Sequence, residues 1–115
     1  MDQFIEQSVR FEEGVRIYGT YIVSSTDPDY LRELEENELE IGYVSFNYLV
    51  ETNQLSFEAV GCQRFAAAHY QQLVETVWAK IRMIQTYWKS DEYQIRKKME
   101  EKVAEAAGRC EDRKK

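Results

Sequence analysis

The side chains best suited to recognition chemistry lie in the second half of the chain, where aromatic and cationic residues interleave. Trp78 and Arg82 are four residues apart and share one face of any helix that carries them. Tyr87-Trp88-Lys89 follows, and Arg96-Lys97-Lys98 comes shortly after. Aromatic faces can stack a nucleobase while guanidinium and ammonium groups take phosphate oxygens. The same residues also suit a core or a subunit interface with solvated cations, and at this level both readings stand. Catalytic and metal-binding patterns do not emerge. The one histidine, His69, sits between Ala68 and Tyr70 with no nucleophile or orienting acid marked beside it, and reads as a surface or interface residue. No G-x-S-x-G, H-E-x-x-H or G-x-x-x-x-G-K occurs. Cys62 and Cys110 form no C-x-x-C pair and lie far from a histidine that could complete a zinc shell, so they read as incidental or small buried thiols. The expectation is a protein without catalytic residues, metal ligands or cofactor.

Charge is divided between the two halves. Residues 1–61 hold no Lys, three Arg and thirteen acids, a balance of −10, while residues 62–115 hold twelve cations against eight acids, a balance of +4. Two surfaces of opposite sign follow, used either for neutralisation within the fold or an oligomer, or for an anion site on the second half. The acidic half disfavours duplex nucleic acid, whose phosphates it would repel. At 115 residues, 43% hydrophobic and 31% charged, the chain is too apolar for disorder and sized for a single domain. No stretch approaches the roughly 20 apolar residues of a membrane span, and the N-terminus lacks a secretory pattern, so the expected compartment is the cytoplasm.

The elements that must position these residues change period near Gly61. Val9-Arg10-Phe11 and the turn Glu12-Glu13-Gly14 lead to a strand in which Val15, Ile17, Tyr21 and Val23 alternate, with Gly19 suggesting a bulge or a close approach. Asp27-Pro28 caps a short helix over Asp29 to Asn37 with Tyr30, Leu31 and Leu34 inside and the run Glu33, Glu35, Glu36, Glu38, Glu40 as a solvated face. Residues 41–60 form a hairpin turning at Thr52-Asn53-Gln54. Its first strand is apolar on both faces, so it should be central or covered on both sides. From Cys62 a helical stripe of Ala66, Tyr70, Leu73, Val74, Val77, Ile81, Ile84 and Trp88 predicts one helix of about 40 Å. Phe65, Trp78, Met83 and Tyr87 lie beside or off the stripe, an excess that calls for a second buried surface and hence a homo-oligomer, a dimer or higher. Ser90-Asp91-Glu92 starts a second helix, about Asp91 to Ala107, whose seam of Ile95, Met99, Val103 and Ala106 suits a partner helix; Gly108 should end it, and residues 109–115 should fray. The expected fold is α+β: an N-terminal antiparallel sheet with a short helix (about 9–61), then a long kinked helix pair (about 62–108) that packs on the sheet and mediates oligomerisation.

A first-half sheet, then Arg64-Phe65-Ala66-Ala67-Ala68 leading into a long helix with Val77-Trp78-Ala79-Lys80-Ile81-Arg82 and Tyr87-Trp88, broken before a second helix, resembles the phage-encoded Thoeris anti-defence proteins of the first type over roughly residues 9–107. The resemblance is architectural. It implies a non-catalytic sponge that assembles as an oligomer and sequesters a cyclic ADP-ribose isomer, or in some relatives a cyclic oligonucleotide, in the host cytosol. Its pocket would lie between subunits, lined by Arg64, Trp78, Arg82, Tyr87, Trp88, Arg96 and Arg109, with Tyr87 or Trp88 stacking adenine and the arginines holding phosphate. Two other readings stand beside it: an acidic protein-binding inhibitor of the anti-CRISPR type that mimics nucleic acid, and a structural or accessory homo-oligomer.

Overall fold

Alternating side chains build an antiparallel meander. In the computed structural model, which describes residues 3–113 and the side chains of residues 3–104, β1 (Phe4–Glu12), β2 (Arg16–Val23), β3 (Tyr43–Leu49) and β4 (Gln54–Val60) form one sheet in the order β1-β2-β3-β4. Pairing sets Ile17 opposite Tyr48, Gly19 opposite Phe46 and Tyr21 opposite Val44. Ile17, Tyr21, Val23, Val44, Phe46 and Tyr48 are buried and make the inner face. β3 is therefore central, and among the described residues one of its faces is buried while the other carries the exposed Tyr43 and Leu49. β1 starts at Phe4, earlier than the Val9 expected from the pattern. A register shift between Glu6 and Ser8 breaks the alternation there and hides the strand's first half.

α1 (Pro28–Glu36) begins as its sequence dictates. Pro28 occupies the first turn, and Asp27 Oδ1 accepts from the Asp29 and Tyr30 N–H groups at 2.8 and 3.4 Å. Tyr30 and Leu34 are buried, whereas Leu31, expected inside, is exposed. Glu33, expected on the solvated face, is buried as well. It follows Tyr30 by three positions and precedes Leu34, which puts it on the apolar side of the helix.

The single helix expected over residues 62–88 is two: α2 (Gln63–Ala68) and α3 (Tyr70–Trp88), separated at His69, whose φ and ψ are −111° and 27°. Phe65 packs on Phe4 and Tyr30, with ring centroids 5.9 and 5.2 Å away, while Leu73, Val77 and Ile81 are fully buried further along. Residues eight apart on an ideal helix point about 80° away from each other, so the break lets Phe65 and Leu73 each reach its own part of the core. Backbone bonds from His69 N–H to Phe65 O and from Leu73 N–H to His69 O, both 3.0 Å, bridge the break.

By contact the chain divides into two units, Met1–Ile81 and Arg82–Lys115. The expected boundary between sheet and helices at Gly61 therefore lies inside the first unit, which keeps α2 and most of α3. The second unit holds the end of α3 and α4 (Asp91–Arg113). Ser90 ties its corner: Oγ donates to Tyr87 O at 2.6 Å and accepts from the Tyr93 N–H at 3.2 Å, and Gln94 Nε2 donates to Trp88 O at 2.8 Å. α4 runs past Gly108, which was expected to end it. The side chains of Ala106, Arg109 and Cys110 lie outside the described residues, as do Lys114 and Lys115. No helix of the described residues is long and apolar enough to cross a membrane.

Candidate functional site

Of the seven residues singled out in the sequence, the structure brings Tyr87 and Arg96 together. At the α3–α4 corner the Tyr87 and Tyr93 rings lie 4.9 Å apart with a tilt of 59°. Arg96 Nη1 donates to Tyr87 Oη at 3.4 Å, and Arg96 Nη2 stands 4.0 Å from Glu92 Oε1. Both rings are half-buried, so each keeps solvent-facing surface, and the guanidinium is mostly exposed. Tyr93 was not anticipated. It is six residues from Tyr87, and only the break at Ser90 makes the two neighbours.

The other candidates are placed differently. Trp88, the alternative stacking residue, is buried. Trp78 belongs to the first unit, where it is half-buried edge-on against Tyr48 at 5.3 Å. Arg82 is exposed at the start of the second unit. Arg64, whose side chain is 76% exposed, faces Glu36 at 3.8 Å in the first unit. The Arg109 side chain lies outside the described residues. Arg96 also borders an apolar groove along α4 formed by Ile95, Met99 and Val103, which are 59%, 62% and 68% exposed. The aromatic–cationic corner thus continues into the apolar seam.

A second polar feature lies wholly in the first unit. A cleft of about 340 Å³ opens between α1 and α2, lined among others by Asp29, Arg32, Glu33, Arg64, Phe65 and His69. Glu33 caps α2 from a distance: its Oε1 accepts the Arg64 N–H at 3.1 Å, a task that Cys62 at the N-cap position leaves undone. Beneath the cleft, Tyr30 Oη accepts the Gly42 N–H at 3.0 Å and donates to Val23 O at 3.4 Å, joining α1 to the sheet. Burial raises the Tyr30 phenol above its ordinary pKa. Tyr30→Phe should cost about 1–3 kcal/mol, because the Gly42 N–H is left buried without an acceptor; urea unfolding measures it, and a loss within error of zero would show that the bridge contributes nothing.

Among the described residues no group of three or more His, Cys, Asp or Glu side chains is arranged to hold a metal ion. No family model, curated protein or solved structure matches the chain.

Proposed function

We propose that this protein is a non-catalytic binding protein that sequesters a small anionic nucleotide, of the cyclic ADP-ribose or cyclic-nucleotide signal type, as a homo-oligomer in the cytoplasm, and so counteracts a bacterial anti-phage defence. The observation that carries the reading is the Tyr87–Tyr93–Arg96 corner, where two half-exposed rings and a guanidinium stand within contact of one another. Tyr87 or Tyr93 offers a face for the base, and Arg96, with Arg82 from the same unit, offers charge-assisted hydrogen bonds to phosphate. The burial of Trp88 leaves the stacking role to the tyrosines. One protomer leaves this corner open, whereas tight retention of a small ligand needs enclosure. The exposed Ile95–Met99–Val103 seam beside Arg96 is where a second copy would supply it. The architectural resemblance to Thoeris anti-defence proteins points to the same ligand class.

Titration of the purified protein with cyclic ADP-ribose isomers and cyclic di- and trinucleotides tests the reading. One ligand should bind and be recovered intact after denaturation, and Arg96→Gln should weaken it about tenfold through loss of a charge-assisted hydrogen bond. A ligand returned cleaved would make the protein an enzyme. A flat panel would end the sponge reading for those ligands. It would favour instead an acidic inhibitor of a basic protein groove, for which the exposed Glu35, Glu36, Glu38 and Glu40 are the specific support.

A further inference from the structure

The structure points to a second site: we propose that the α1–α2 cleft binds a small organic ammonium, independently of the nucleotide reading. Glu33 carries the argument. The residue is only 4% exposed, and its Oε1 accepts the Arg64 N–H at 3.1 Å, but its Oε2 is shut from solvent with no hydrogen-bond partner. A buried carboxylate oxygen without a donor is costly, and a charged donor satisfies it best. Glu33 lines the cleft, and a small adjustment of its side-chain torsions, which moves both oxygens together, brings Oε2 within reach of a donor there.

The surroundings select a cation. Asp27, Asp29 and Glu33 line the cleft against Arg32 and Arg64, so carboxylates are in excess, and the Arg64 guanidinium, 3.8 Å from Glu36, is turned largely to solvent. Tyr30, Phe65 and His69 give it an aromatic flank, with centroids 5.2 Å apart for Tyr30–Phe65 and 4.4 Å for Phe65–His69. A carboxylate beside aromatic rings is the combination that attracts an ammonium group. The same carboxylates repel phosphate, which separates this cleft from the Tyr87–Arg96 corner. A four-carbon diamine is small against about 340 Å³ and enters without rearranging the helices.

An NMR titration of the ¹⁵N-labelled protein with 1,4-diaminobutane at constant ionic strength is the test, because the Arg64 amide reports directly on Glu33. The expected result is a saturable shift of the Arg64 amide and its cleft neighbours, absent with 1,4-butanediol. Glu33→Gln, which keeps an acceptor for Arg64 and replaces the bare oxygen by a donor, should weaken the diamine by tenfold or more. An Arg64 amide unmoved at millimolar diamine overturns the proposal. So does equal binding of the butanediol, or undiminished affinity in a folded Glu33→Gln protein, which would mean general attraction to an acidic surface. Were Glu33→Gln not to fold, the comparison of diamine with diol in the native protein decides alone.

Discussion

Gly19→Ala lowers the stability of this protein by about 3 kcal/mol, the upper end for forcing a methyl group into a packed site, and its melting midpoint by roughly 10 °C or more. Gly19 lies on the inner face of β2, opposite Val9 on one side and Phe46 on the other. A Cβ there collides with the Ser8 carbonyl oxygen and stands 2.9 Å from Val9 Cα, both parts of the β1 backbone just past its register shift. Backbone in a paired strand cannot swing away as a flexible side chain would, so β1 must move or its pairing must open. Gly14→Ala is the control. Gly14 turns the chain between β1 and β2 at φ +73° with no atom within 4 Å of an added Cβ, so only the left-handed backbone penalty of about 1 kcal/mol applies. Paired thermal melts of the two variants measure the contrast. Equal losses would mean that β1 yields and that the close approach at Gly19 is not what holds that residue.

What the sequence disclosed and what it concealed follow from the range of the forces involved. Ile17, Tyr21 and Val23 alternate within one strand, as do Val44, Phe46 and Tyr48, and Asp27-Pro28 acts on the next few backbone groups; such local signals predicted β2, β3, β4 and the start of α1. The α+β arrangement, an antiparallel sheet followed by helices, came from the change of period near Gly61. The first half of β1 escaped because a bulge inverts the in–out order between Glu6 and Ser8. The break at His69 escaped because the apolar stripe runs across it and the hydrogen bonds continue; its cause is where Phe65 must go, which depends on Phe4 and Tyr30 far away in sequence. Glu33 had a readable signal, its place between Tyr30 and Leu34 on the helix face, but the surrounding glutamates made it look like one more solvated acid. At the candidate site, the aromatic and basic composition singled out Tyr87 and Arg96, and Ser90 announced the corner. Tyr93 and the burial of Trp88 depend on how the chain turns there, which composition does not encode.

Stability should also fall at alkaline pH, in a window set chiefly by two buried acids, to which the raised Tyr30 phenol adds in the same direction. Burial, with the Glu33 charge adding to it, pushes the Cys62 thiol from 9.0 up to about 11, although a backbone N–H at Val60 works the other way. Burial and the Glu6 charge push the Tyr21 phenol from 10.0 to about 12. Cys62 Sγ also donates to Tyr43 O at 3.3 Å, a bond the thiolate cannot make. In both cases the folded chain keeps a proton that the unfolded chain releases. The stabilising contribution is therefore whole below about pH 9 and is lost progressively as pH rises through about 11 for Cys62 and about 12 for Tyr21. Allowing for residual solvent screening, each group accounts for about 1–2 kcal/mol, so the pair removes a few kcal/mol across the window. Urea midpoints measured at pH 8, 9, 10 and 11 should hold and then drop. Cys62→Ala leaves a small cavity and lowers the plateau, but it also removes the earlier part of the drop, so its profile should stay flat about one pH unit longer than that of the native protein. Identical profiles would show that the thiol carries no part of the alkaline transition, and a native profile already falling below pH 8 would assign the loss to groups other than these buried acids.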